Sequence, residues 1–292
     1  MNHVLTFAFI GGDLRQLRVI RRLSAMGHEI QIFGLENATP ESVCCAKKKD
    51  SLSSCLSGAD VVVLPLPYNS GEAVHTALSK EVIPTRDVIE SMSEHQLLLA
   101  GKCDSYLKAL ADLHHIRLID YMDREELSVL NTIPTVEGAL SIAMTETPFT
   151  LHGSRCLVLG YGRIGKLLSR ALQALGATVH VAARKHSDLA WIKANAMTGI
   201  PMKNISEVIG QYNLIFNTAP AMLLGFKQLS LIPDDCLIID LASRPGGVDF
   251  ETARELGKKV IWALSLPGKV APDTAGDIIK DTIINILEEL EV

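Results

Sequence analysis

The sequence predicts an α/β protein of two domains, each a parallel sheet wound by helices, and three observations carry that prediction. Short apolar runs alternate with segments of helical periodicity along the whole chain, the pattern left in sequence by parallel sheets covered on both faces. A G-x-G-x-x-G turn made of Gly160, Gly162 and Gly165 stands between one such run and one such helix. The first half repeats the arrangement around a glycine turn of its own, Gly11 and Gly12. A chain of 292 residues, 48% hydrophobic and 21% charged, is long enough for two separate cores.

In the first half, "VLTFAFI" (4–10) reads as a strand, followed by a helix near 14–26. "HEIQIFG", "ADVVVLPLP", "HQLLLAG" and "IRLIDYM" are the next strands, each an apolar run too short for a helix. "NTIPTVEGALSIAMTETPFTLHGS" (131–154) begins with a proline break, continues as a helix and ends in a Thr/Pro/His/Gly stretch, so the crossing between domains is expected there. "RCLVLG" (155–160) is a buried strand. Ile164, Leu167, Leu168, Ala171, Leu172 and Leu175 then share one face of a helix that closes at Gly176. "ATVHVAA", "YNLIFNT" (212–218), "CLIIDLA" (236–242) and "KKVIWAL" (258–264) complete a second, Rossmann-type sheet. "APDTAGDIIKDTIINILEEL" is an amphipathic helix suited to return to the first domain. The expected organisation is two Rossmann-like domains: 1–130, rejoined by the helix 273–292, and 155–272, with interdomain helix and linker 131–154 bordering a cleft.

Composition excludes several function classes. A net charge of −5 argues against nucleic acid, whose phosphates need a concentrated basic face. No run is expected to approach the roughly 20 apolar residues of a membrane span. "MNHVLTFAFIGGD" has neither the basic start nor the cleavage site of a signal peptide, so a cytoplasmic protein is expected. Cys44, Cys45, Cys55, Cys103, Cys156 and Cys236 show no CxxC spacing and read as reduced thiols, and no metal centre is expected.

The chemistry gathers at strand ends. In "LGYGRIG", Gly160 permits the tight turn, Gly162 lets a pyrophosphate approach the backbone, and Gly165 lets helix and strand pack closely. Arg163 and Ile164 open the helix whose free N–H groups then face the diphosphate. After the second strand, "VAARKHSD" (181–188) places Arg184 where NAD enzymes hold an acid for the ribose 2′-OH; an arginine there accommodates a 2′-phosphate and reads NADP. Ser187 adds a hydroxyl, while Lys185 and His186 either assist or belong to an ordinary surface loop. The first domain puts Asp13 and Gln16 where a fingerprint needs glycine, so dinucleotide binding is not expected there. Its Arg15 lies in a first helical turn, unfavourable for a cation; it is kept for an anionic ligand, or Arg15, Arg18, Arg21 and Arg22 form one solvated face. "DLASRPGGVDF" (240–250) offers Arg244 as a bidentate carboxylate clamp beside the Gly246–Gly247 backbone. "SLPGKVAPDTAG" (265–276) carries Lys269 and Asp273 on a loop before the last helix. Both are otherwise plain Gly/Pro turns.

Taken in order, "IGGDLRQL", "IPTVEGA", "LGYGRIG", "DLASRPGGVDF" and "LPGKVAPDTAG" resemble the dipicolinate synthase A-subunit family of spore-forming bacteria, from residue 8 to the final helix. The fold also resembles the D-2-hydroxyacid and alanine dehydrogenase group. The resemblance implies a cytoplasmic enzyme subunit that works with a separate flavoprotein-like B subunit. Together they would form pyridine-2,6-dicarboxylate for the spore, from dihydrodipicolinate or its 4-hydroxytetrahydro precursor in the lysine/diaminopimelate branch, with NADP as hydride acceptor. A dicarboxylate needs donors on two sides: Arg244 and Lys269 on one, Thr135 and Arg15 on the other. Glu137 either lines the cleft or caps and solvates its helix. All nine histidines lie at or before His186, so the C-terminal loop lacks the histidine base of the hydroxyacid enzymes, and no base is assigned. Another NADP-dependent dehydrogenase of a small carboxylate, or a non-catalytic NADP-binding subunit, remains an alternative, and a homo-oligomer is compatible with the chain.

Overall fold

The structure is a computed structural model that describes residues 3–291. It forms two compact units, one running to Asn131 and completed by the segment from Ala271, the other Thr132–Val270. The first unit contains strands β1 (Thr6–Ile10), β2 (Glu29–Phe33), β3 (Lys47–Lys48), β4 (Val61–Val63), β5 (Asn69–Ser70), β6 (Ala73–Val74), β7 (Leu97–Ala100) and β8 (Arg117–Asp120). Its helices are α1 (Leu14–Ala25), α2 (Pro40–Val43), α3 (Leu52–Leu56), α4 (Thr85–Glu90), α5 (Ser105–Leu113) and α6 (Glu125–Leu130). Six strands make one sheet in the order β3-β2-β1-β4-β7-β8, parallel throughout, with Phe7 opposite both Ile30 and Val61. Because side chains alternate across a strand, β1 feeds two cores: Phe7 and Phe9 enter one, Ala8 and Ile10 the other. Positions of a strand buried on both faces must be apolar, which is why residues 7–10 read as a continuous run.

The second unit repeats the plan. Its strands are β9 (Arg155–Leu159), β10 (Thr178–Ala183), β11 (Thr198–Pro201), β12 (Leu214–Asn217), β13 (Leu237–Asp240) and β14 (Lys259–Trp262). Its helices are α7 (Thr132–Glu146), α8 (Arg163–Ala174), α9 (His186–Ala194), α10 (Ile205–Val208), α11 (Phe226–Leu229), α12 (Phe250–Glu255) and α13 (Leu266–Val270), and α14 (Pro272–Glu289) belongs to the first unit. The parallel sheet runs β11-β10-β9-β12-β13-β14. Cys156 and Val158 of β9 face one core, Leu157 and Leu159 the other. Cys156 and Cys236 are buried apolar filler, and burial pushes their thiols up to about 11 and about 12, out of the reactive range.

Several expectations need correction. The expected break falls at Asn131, between α6 and α7, and Pro134 sits buried in the first turn of α7, where a missing N–H costs nothing. The 131–154 stretch, expected as interdomain helix and linker, falls within the second unit from Thr132 on, and α7 gives Val136, Ala139 and Ala143 to that unit's core. The stretch Glu125–Glu146 is, over 22 residues, long and apolar enough to cross a membrane by length and composition, contrary to the expectation that no run comes close. Those core side chains of α7 account for part of that apolarity. In the first unit the arginines of α1 are not one solvated face: Arg15 is buried and Arg18 half-buried, while Arg21 and Arg22 are exposed but ion-paired. Arg18 and Arg22 both bind Asp277 of α14 (2.8 Å), and Arg21 and Arg18 reach Asp273 (3.6 and 3.2 Å). Beneath this seam the helices touch: a Cβ on Gly276 would lie 2.7 Å from the carbonyl oxygen of Arg15.

Candidate dinucleotide site

From β9 the chain winds outward to β11 on one side of the sheet, and from β12 to β14 on the other, so the crevice for a ligand opens at the carboxyl ends of β9 and β12. The three glycines of the β9–α8 turn behave differently there. Gly160 has φ +102°, donates its N–H to the Ala182 carbonyl (2.9 Å), and leaves 2.7 Å between a would-be Cβ and Thr218 Oγ1. A Cβ on Gly165 would collide with the Gly160 carbonyl, so strand and helix pack at glycine distance. Around Gly162 nothing lies within 4 Å of a Cβ position. Gly162 is also the N-cap of α8 and supplies no side-chain cap. The positive end of a 12-residue helix, opened by Arg163 and Ile164, therefore faces open space at the one glycine whose role is to admit a pyrophosphate.

The neighbouring strand brings the second element. Arg184 follows β10 directly and is exposed; no acidic residue stands between the strand end and Asp188. Lys185, His186 and Ser187 are exposed too, but they are not loop residues. Lys185 is the N-cap of α9, and His186 and Ser187 are its first residues. The cradle and the basic strand end fit a nicotinamide dinucleotide: the α8 N-terminus would hold its diphosphate and the β10–α9 junction its adenosine ribose.

On the other side of β12, polar side chains end the strands. Asn217 and Asp240 sit opposite each other in register, and both are fully buried. Asp240 accepts from Asn217 Nδ2 (2.8 Å), Ala242 N (3.0 Å) and Gly247 N (2.8 Å). Gly246 donates its N–H to the Ser243 carbonyl (2.8 Å). The N–H groups of Gly246 and Gly247, beside which Arg244 is expected to clamp a carboxylate, are therefore committed to the turn itself. Arg244 is exposed on this turn, its guanidinium carbon 5.8 Å from the centre of the Trp262 ring. That ring stacks on Phe250 (4.8 Å) and donates Nε1–H to the Ala242 carbonyl (3.0 Å).

Lys269 is exposed on α13, not on a loop, because Leu266 and Pro267 anchor that helix in the core. Asp273 opens α14 and is ion-paired to Arg18. On α7, Thr135 is half-buried and Glu137 exposed. The second unit thus brings Gly160, Gly162, Arg163, Ile164, Gly165, Arg184 and Ser187 to adjacent strand ends, with Arg244 on the turn after β13. Arg15 belongs to the other unit and is a further correction. It is buried, with Nε and Nη2 on Asp13 (3.0 and 2.6 Å) and Nη2 also on the Leu66 carbonyl. It cross-links the loops after β1 and β4, where that sheet's order reverses, so these donors are not free for an anionic ligand. Sequence reasoning misses Asn217, Asp240 and Trp262. The available signal is a polar or aromatic residue closing an apolar run.

Residues 6–122 match the N-terminal domain of the dipicolinate synthase A-subunit, and residues 137–251 match the NAD-binding domain of D-isomer-specific 2-hydroxyacid dehydrogenases. The chain is 34% identical to the dipicolinate synthase A-subunit of Bacillus subtilis (strain 168) over 98% of its own length and 97% of that protein's. It superposes on the crystal structure of the dipicolinate synthase A-subunit from Bacillus halodurans with a TM-score of 0.90, at 33% identity, covering 98% of this chain and 99% of that one. A likeness to an L-alanine dehydrogenase (TM-score 0.64, 17% identity, 97% and 90% coverage) shows the shared fold alone. The second unit is accordingly a dehydrogenase-type domain for a nicotinamide dinucleotide, and with similarity running across both units the chain belongs to the dipicolinate synthase A-subunit family.

Proposed function

We propose that this chain is the NADP-linked subunit that oxidises dihydrodipicolinate, or its 4-hydroxytetrahydro precursor with loss of one water molecule as well, to pyridine-2,6-dicarboxylate in the cytoplasm during sporulation, together with a flavoprotein-like B subunit. The observation that carries the cofactor choice is Arg184, exposed at the end of β10 with no acid beside it. Bound NADP⁺ supplies the hydride acceptor. The α8 N-terminus holds its diphosphate, Arg184 pairs with the 2′-phosphate, and the Ser187 hydroxyl adds a donor. Arg244 grips one substrate carboxylate through its planar fork, and Lys269 supplies a second cation for the dicarboxylate. Loss of a hydride and a proton from the dihydropyridine creates an aromatic ring. The proton therefore departs with less general-base assistance than alcohol oxidation requires, in keeping with a C-terminal stretch that has no histidine after His186.

Losing a desolvated, charge-assisted contact costs about 1.5–3 kcal/mol, so Arg244→Ala lowers kcat/KM by roughly ten- to a hundredfold while the Kd for NADP stays near the wild-type value. Arg244→Lys restores part of the loss, because a point charge lacks the fork. Steady-state kinetics and cofactor titration on the three proteins check this. A cofactor affinity that drops as far as catalysis does would move Arg244 into the dinucleotide site.

A further inference from the structure

Asp240 is fully buried at the end of β13 and takes no direct part in the proposed cofactor or substrate binding. A buried carboxylate is retained at a cost unless its oxygens are satisfied. Here they are, by three N–H donors from three different segments: the Asn217 side chain at the end of β12, the Ala242 backbone, and the Gly247 backbone beyond the turn. Asn217 is held in turn by Ala219, donating to its carbonyl (3.1 Å) and accepting its N–H (3.2 Å). Between those two residues lies Thr218, whose hydroxyl packs against Gly160 of the dinucleotide turn. Gly247 closes the loop of contacts, because its carbonyl accepts from Leu223 and Leu224 (3.0 Å each) and a Cβ on it would strike the Asn217 amide. The carboxylate therefore ties the turn that carries Arg244 to the strand exit that borders the dinucleotide cradle.

We infer that Asp240 is a positioning residue of the reaction, a three-donor clamp that fixes the Arg244 turn relative to the dinucleotide turn. The inference rests on the reading of Arg244 as a substrate carboxylate binder. Only a carboxylate serves, since an asparagine in its place keeps one acceptor oxygen and turns an NH₂ toward either the Gly247 N–H or the Asn217 amide, donor against donor. Asp240→Asn leaves shape and volume intact while releasing one side of the clamp.

The test uses the full chain with its partner, comparing wild type, Asp240→Asn, Arg244→Ala and the double variant below the thermal transition of each. Asp240→Asn is expected to lower kcat/KM for the dicarboxylate precursor about tenfold or more with less than a threefold change in the Kd for NADP. The double variant is expected to be no worse than Arg244→Ala alone, because a residue acting through Arg244 has nothing left to act on. Amide hydrogen exchange of a peptide spanning 241–248 is expected to quicken about tenfold or more in Asp240→Asn, with the peptide spanning β9 unchanged. Losses that multiply in the double variant, or unchanged exchange at 241–248, overturn the inference. Wild-type kcat/KM in Arg244→Ala would instead sink the reading of Arg244, and hydrogen exchange would still decide whether Asp240 holds the turn.

Discussion

At the scale of single residues, function and stability turn on where charge and Cβ atoms are placed. Arg184→Glu reverses the charge at the β10 end, so binding of NADP should weaken by about 1.5–3 kcal/mol, the range for hydrogen bonds to charged groups, while NAD changes much less. Isothermal titration with both cofactors checks it, and equal affinity of the wild type for NAD and NADP contradicts it. Gly247→Ala adds a Cβ 2.8 Å from the Ala221 carbonyl and 2.9 Å from that of Ala219. Overpacking of backbone that has no room to move costs about 1–3 kcal/mol, which a denaturation curve should show as a lower midpoint. The glycine turn and Arg184 are legible in the sequence because their geometry is local: Gly160, Gly162 and Gly165 constrain one turn, and Arg184 follows its strand directly. The pairing of Asn217 with Asp240 is not, since it exists only once β12 and β13 are in register. Arg15 misleads in part for the same reason: beside its neighbour Asp13, its second acceptor, the Leu66 carbonyl, is brought to it only by sheet order.

Among elements, strands with an apolar run announce themselves, the edge strands β8 and β14 included, while the edge strands β3 and β11 do not. After their first residues, Thr6 and Arg155, β1 and β9 are apolar at every position because both faces are covered. β3 (Lys47–Lys48) and β11 (Thr198–Pro201) lie at the outer ends of their sheets and carry no such run, so no signal in "KK" or "TGIP" marks them as strands. "LPGKV", rich in helix breakers, suggests a loop around Lys269, yet burial of Leu266 against Gly138 of α7 holds it as one short helix. The α1–α14 pair makes a testable case of electrostatics between elements. Hydrogen bonds from Arg18, opposed by partial desolvation and aided by Arg22, hold the Asp277 carboxyl well below the usual carboxylate range. A carboxylate whose folded value is depressed stabilises the fold above its unfolded value, and that contribution fades as pH drops through the folded one. Asp277→Asn should therefore lower Tm by roughly 2–4 °C near neutral pH, the equivalent of about 1 kcal/mol for a partly exposed network. The gap to wild type should hold from neutral pH down to about pH 4 and shrink below it. A gap that widens with acid in paired thermal melts would contradict the assignment.

For the whole molecule, the proposal is that this chain performs the oxidation and that a second protein completes the enzyme. Family membership covers nearly the full length of the chain and of its Bacillus subtilis relative, so the activity is proposed for the chain as it stands and not for one domain of it. Dipicolinate formation by the chain on its own should be slow or absent and should rise when the B subunit is supplied, which a titration of one into the other would show as a saturable increase. The most direct measurement follows dipicolinate and reduced cofactor together, from freshly generated precursor, with either protein singly and with both, in the presence of NADP⁺, of NAD⁺ and of neither. The expected result is one NADPH formed per dipicolinate, only when this chain is present, with NAD⁺ a poor substitute. Dipicolinate that forms at the same rate without this chain, or without stoichiometric reduction of NADP⁺, would contradict the proposal.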